Sequence, residues 1–140
     1  LAGKLHGVIR LNKWGVDQAR RRLGELLRQL DDLEGRARRL ERELGDEQKA
    51  AAVAPVEGGR LYGAYARWVI ARRAEIARAV AKKEQEVAVA REQLREAYRE
   101  LKKYEVAEAV RERRLALALA RREQAELDEI GTQGFLHRRR

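Results

Sequence analysis

Residues 53–60 read Val-Ala-Pro-Val-Glu-Gly-Gly-Arg, and they hold both the only proline of the 140-residue chain and its only Gly-Gly pair. A proline inside a helix removes a backbone donor and clashes with the preceding turn, and paired glycines supply left-handed backbone freedom. The stretch therefore predicts a turn over residues 54–60 in a chain that otherwise reads as helix. What the two flanking segments must do is set by their periodicity.

Upstream, every seventh residue from Ile9 gives Ile9, Val16, Leu23, Leu30, Ala37, Leu44 and Ala51. Three places on, the interleaved set is Asn12, Ala19, Leu26, Leu33, Leu40, Glu47 and Ala54. This 4-3 spacing of apolar residues is the heptad seam along which helices wrap around one another. Asn12 and Glu47 interrupt it near its two ends. Four glycines, Gly15, Gly24, Gly35 and Gly45, lie off the seam, and each costs about 1 kcal/mol relative to alanine in a helix. Seam leucines, worth roughly 1.5–3 kcal/mol each when buried, outweigh that cost only if a partner helix covers them.

Downstream the pattern resumes after Leu61 as Val69, Arg73, Ile76, Val80, Lys83, Val87, Ala90, Leu94, Ala97, Leu101 and Tyr104. Arg73 and Lys83 fit such a seam by laying their alkyl stems along it with their charges in water. Past Tyr104 the apolar phase is expected to shift to Val106, Val110, Leu117 and Leu127, with Leu115 and Leu119 on a neighbouring face. A short turn between two heptad runs makes an antiparallel hairpin in which the chain covers its own seam. The predicted fold is all-α, an antiparallel two-helix coiled-coil hairpin with a longer second helix. One domain over 1–140 holds helix one at about 5–53, helix two at about 61–130 and a loose basic tail at 131–140. At 1.5 Å per residue the helices would measure roughly 70 Å and more than about 100 Å.

Composition agrees and narrows the function. Charged residues make up 39% of the chain and aromatics 5%, enough for a narrow seam but not a thick core. There is no cysteine, hence no disulfide or thiolate chemistry. No apolar run approaches the roughly 20 residues that cross a bilayer, and the first residues lack the layout of a signal peptide. The net charge of +9 points to an acidic partner, whether nucleic acid, an anionic membrane surface or an acidic protein groove. Acids interleave the bases nearly everywhere, so a solvated helix surface explains the charge equally well. Arg20-Arg21-Arg22 and Arg138-Arg139-Arg140 are the pure basic runs.

Catalytic chemistry has no foothold. Serine is absent, Thr132 is the one threonine, and His6 and His137 lie near opposite ends of the sequence. Neither a Ser–His nor a Cys–His pair can be assembled, no phosphate-binding P-loop is present, and the acids of Glu126–Glu129 resemble any solvated helix surface. No enzyme activity, cofactor or metal is expected. The stretch with most functional content is Leu61–Trp68, where Tyr62, Tyr65 and Trp68 fall within about two helical turns. They either plug the hairpin beside its turn or form an exposed aromatic docking patch of the kind that dominates interfaces. Trp14 sits on the outer side of its heptad, where an intramolecular seam does not cover it.

With these elements in place, the chain resembles the flagellar export protein FliJ and its injectisome counterparts, the YscO-type stalk proteins. The resemblance is carried by LHGVIRLNKWGVDQARRRLGELL (5–27), LERELGDEQ (40–48), LYGAYARWVIARRAEI (61–76), AELDEI (125–130) and the short basic tail. It implies an antiparallel coiled coil similar to the central stalk subunit of rotary ATPases. Such a protein sits in the hexameric export ATPase ring, contacts the membrane-embedded export gate and handles emptied export chaperones. Its place is cytoplasmic, peripheral at the membrane through its partners, with no nucleic acid expected. Gate contact in the family maps to exposed residues near the hairpin tip, here Arg36, Leu40, Glu43 and Glu47 on helix one and Tyr62, Tyr65, Trp68 and Arg72 on helix two. The terminal end, with Arg10, Lys13, Arg20, Arg21, Arg22, Arg113, Arg114, Arg121 and Arg122, suits an acidic ring lumen. Two other classes stay open. A basic coiled-coil nucleic-acid binder would lose affinity steeply with salt, and a structural spacer would bind neither nucleic acid nor ATPase.

Overall fold

The computed structural model describes the backbone of residues 2–53 and 55–139, with side chains over 3–53 and 62–139. It is all-helical: α1 spans Ala2–Val53 and α2 spans Pro55–Arg139, packed antiparallel with α2 the longer. The break is shorter than the sequence suggests. Instead of a turn through residue 60, the backbone is already helical from Pro55, and Ala54 lies outside the described residues. Proline is well suited to the first position of a helix, where its missing N–H has no intrahelical partner to lose and its fixed φ is already helical. No described glycine takes a positive φ, so Gly58 and Gly59 serve as helix residues rather than as left-handed turn formers. At the other end, residues 131–139 continue α2 where a loose tail was expected. His137, Arg138 and Arg139 in the last turn complement the negative end of the helix dipole, and Thr132 Oγ1 donates to the Asp128 carbonyl at 2.9 Å.

The chain forms two compact units. One of them, Gly15–Ala97, is the hairpin proper. Its core is layered along the seam: Leu40, Val69 and Ile76 pack with Ala37, Leu44, Tyr65 and Val80, and Leu26, Val87 and Ala90 pack with Leu23 and Leu30. Leu26 is 2% exposed, a burial worth roughly 1.5–3 kcal/mol. No polar side chain is buried among the described residues, so the polar groups work at the rim. Arg73 grips Glu41 through two hydrogen bonds, Nε to Oε1 at 2.6 Å and Nη2 to Oε2 at 2.5 Å. Lys83 Nζ donates to Gln29 Oε1 at 2.8 Å and pairs with Glu86 at 2.8 Å. Both cations keep their stems on the seam and their charges at its edge, as the heptad reading requires.

The second unit joins the residues up to Trp14 with those from Tyr98 onward. Leu5, Val8, Ile9 and Asn12 are half-buried, as are Leu101, Tyr104, Glu108 and Arg111. The expected phase shift does not occur: Val106 and Val110 are exposed, and the half-buried line continues in its original phase through Glu108 and Arg111. Polar contact replaces apolar packing there, with His6 Nε2 3.0 Å from Glu108 Oε1. Asn12 satisfies its own amide by donating to the Val8 carbonyl at 2.8 Å, a local bond that asks nothing of the facing helix.

Candidate partner-binding surfaces

In the hairpin unit, the aromatic cluster divides between the two roles open to it. Extending the seam back one heptad from Val69 reaches Tyr62, and Tyr65 lies one turn before Val69. Both are half-buried. Tyr65 packs on the Leu40–Val69–Ile76 core, and Gln48 Nε2 donates to Tyr62 Oη at 3.0 Å across the hairpin. Desolvation, joined by the charges of Glu43, Glu47 and Asp46, raises the Tyr65 pKa, so the phenol stays protonated. Trp68 points the other way and remains 52% exposed, its ring 5.8 Å from that of Tyr65 and tilted by 32°. Tyr65 thus buttresses the face that displays Trp68.

The other tip candidates separate likewise. Leu40 is 5% exposed and belongs to the core, so burial removes it from the surface the sequence reading gave it. Arg36, Glu43 and Glu47 are exposed on α1. Arg72 is half-buried and donates from Nη1 to Glu75 Oε2 at 3.0 Å. Its neighbour Arg73 holds Glu41, whose pKa is lowered chiefly by that hydrogen bond. The tip is therefore an aromatic patch within a frame of paired charges. On the same unit an open apolar groove is lined by Ala37, Leu40, Ile76, Ala77, Val80 and Ala81.

The basic candidates fall in both units. Arg20, Arg21 and Arg22 are exposed on the hairpin unit, with Arg22 4.0 Å from Glu25 one turn along. Arg113, Arg114, Arg121 and Arg122 are all exposed on α2 in the other unit. Every described residue from Glu112 to Arg139 is exposed. Leu11 and Trp14 are also exposed there, Trp14 at 61%. The cluster of His6, Glu108 and Glu112 escapes sequence reading, because 102 positions separate His6 from its partner. The signal would have been to extend the seam phase past Tyr104 onto Glu108.

No helix among the described residues is long and apolar enough to cross a membrane. Neither a curated protein nor a solved structure matches the chain. A family model does: residues 2–140 match that of the flagellar FliJ protein. Two antiparallel helices, the second longer and basic, accord with that match, and the chain belongs to the flagellar FliJ family, non-catalytic components of the flagellar export apparatus.

Proposed function

We propose that this protein is the central stalk and adaptor of the flagellar export ATPase, entering the hexameric ring with basic helix surface and meeting the membrane export gate through its hairpin tip. It works in the cytoplasm, at the membrane face, through those partners and through export chaperones. The observation that carries the reading is the stretch of α2 from Glu112 to Arg139. It is helical, wholly exposed and begins with Arg113, Arg114, Arg121 and Arg122. A bare basic helix suits an acidic lumen, where complementary potentials steer and orient the partner. Arg20–Arg22 adds a second basic surface on α1. At the tip, Trp68 is a large exposed aromatic beside Tyr65, which packs on the core, and such residues often anchor interfaces.

The two roles are separable by substitution. Replacing Arg113, Arg114, Arg121 and Arg122 with Glu is expected to abolish stimulation of the purified ATPase while gate binding persists. Trp68→Ala is expected to do the reverse, with the helical content of both variants unchanged by circular dichroism. If both folded variants lost both activities, the division of labour would be wrong.

A further inference from the structure

In the unit that joins the first residues to those from Tyr98 onward, His6 of α1 meets Glu108 and Glu112 of α2. Glu108 and Glu112 are four apart on one helix, so both carboxylates project to the same side. His6 Nε2 is 3.0 Å from Glu108 Oε1, and one ligand atom from each of the three residues lies within 4.8 Å of the others. Spacing along the sequence gives no hint of a metal; antiparallel packing assembles the set. The contact with His6 accounts for only one oxygen of Glu108. That residue stands where the seam phase calls for an apolar side chain, and its own is 13% exposed. Its Oε2 is buried without a hydrogen-bond partner, and Arg111 Nη1, at 3.6 Å, is too far to donate. The similarly covered Glu86 Oε2 of the hairpin, by contrast, has Lys83 Nζ at 2.8 Å. A buried carboxylate oxygen left alone costs free energy, and a cation held among the three side chains removes that cost.

The donor set selects the ion. Calcium and magnesium take oxygen ligands, whereas one imidazole with two carboxylates suits zinc. We propose that His6, Glu108 and Glu112 bind one zinc ion, with water completing its shell, and that the ion fastens the start of α1 to α2. Ligand atoms about 2.0–2.2 Å from zinc sit about 3.4 Å apart around a tetrahedron. The His6–Glu108 edge is already close to that, and the exposed Glu112 reaches it by a change of rotamer. His6 coordinates through Nε2 and carries its proton on Nδ1. Arg111 turns outward to solvent as the ion takes its place beside Glu108. Polar contact has replaced apolar packing in this part of the fold, so the ion strengthens what the seam holds weakly. The proposal is independent of the stalk reading, since it concerns how the chain closes on itself.

Calorimetric titration of the full chain with zinc chloride, in buffer free of phosphate and chelator, is expected to show one ion per chain. His6→Ala, Glu108→Gln and Glu112→Gln should each weaken binding at least about tenfold, the least that even loss of an outer-shell partner costs. His137→Ala and Glu123→Gln change the other imidazole and an exposed acid outside the set, and they should bind as the parent chain does. Zinc should slow amide hydrogen exchange around His6 but not around Leu30, and a chelator should reverse the effect. Glu112 is exposed, so its variant keeps the fold, which circular dichroism checks. A chain that takes up no zinc overturns the proposal. So does undiminished binding by His6→Ala or Glu112→Gln, which would mean adventitious zinc on surface acids. One ion per two chains overturns it as well, since zinc would then bridge copies rather than helices. ATPase stimulation is a separate readout, so failure here leaves the stalk reading to stand or fall on its own.

Discussion

The Gly15–Ala97 hairpin and the Glu112–Arg139 stretch of α2 have much the same composition, Ala, Leu, Arg and Glu, and opposite fates. In the hairpin the leucines fall on one seam and meet a second helix, so Leu26, Leu40, Val69 and Ile76 are buried. In the later stretch Leu115, Leu117 and Leu119 alternate, which on a helix scatters them over several faces, and all three stay exposed. Composition makes both regions helical, and only spacing makes one of them a core. The hairpin buries its seam; the exposed stretch leaves its apolar side chains in water.

The harshest test of that contrast is to place the same charge in each region. Leu26→Asp buries an unpaired carboxylate and is expected to cost about 3–5 kcal/mol, melting α1 and α2 of the hairpin together. Leu119→Asp, on an exposed side chain, should change stability by no more than about 0.5 kcal/mol. Urea melts followed by circular dichroism compare the two, and equal losses would mean that the exposed stretch has a tertiary partner after all.

A smaller effect sharpens the comparison from the other side. A Cβ added at Gly15 or Gly45 meets nothing within 4 Å, and neither backbone needs a positive φ. Gly15→Ala and Gly45→Ala are each expected to stabilise the hairpin by roughly 0.5–1 kcal/mol. Gly131→Ala, which also meets nothing within 4 Å, should raise helicity near the end of α2 without moving the hairpin's melting temperature.

The smallest expected effect is electrostatic. The Arg73 hydrogen bonds lower the Glu41 pKa in the folded chain below its ordinary 4.5. The pair's contribution is therefore complete above the ordinary glutamate range and is lost as pH falls through the lowered value. Between about pH 6 and about pH 3, Arg73→Met should remove a small, acid-side part of the hairpin's decline in melting temperature. An identical pH profile in both chains would show that the pair contributes nothing measurable, as for many exposed ion pairs.

Much of this was legible in the sequence. The seven buried core residues, Val16, Leu26, Leu40, Val69, Ile76, Val87 and Ala90, all fall on the heptad positions. Spacing alone locates them because a two-helix fold has a single apolar seam. Punctuation was harder to read. Pro55 and the glycines after it signal a break, but proline is as much at home opening a helix as interrupting one, and here it opens α2. Past Tyr104 the apolar pattern misleads, because Val106 and Val110 are exposed whereas the half-buried line runs through Glu108 and Arg111. At the candidate surfaces, heptad position separates Leu40 from its exposed neighbours, and the same phase, carried back to Tyr62, separates Tyr65 from Trp68. The contact between His6 and Glu108 depends on how two helices are staggered, which no local pattern records.

The cross-helix contacts also describe an order of assembly. Gln48 meets Tyr62 across 14 residues, Glu41 meets Arg73 across 32 and Gln29 meets Lys83 across 54, each pair enclosing the one before. Closing a 54-residue loop in one step costs about 1 kcal/mol more entropy than closing one of 14. When the inner pair is already made, the next needs only the few residues on each side to settle. Loop entropy therefore favours closure from the turn outward, beginning beside Pro55. During synthesis α1 emerges without a partner, and its seam stays open until the first turns of α2 follow it.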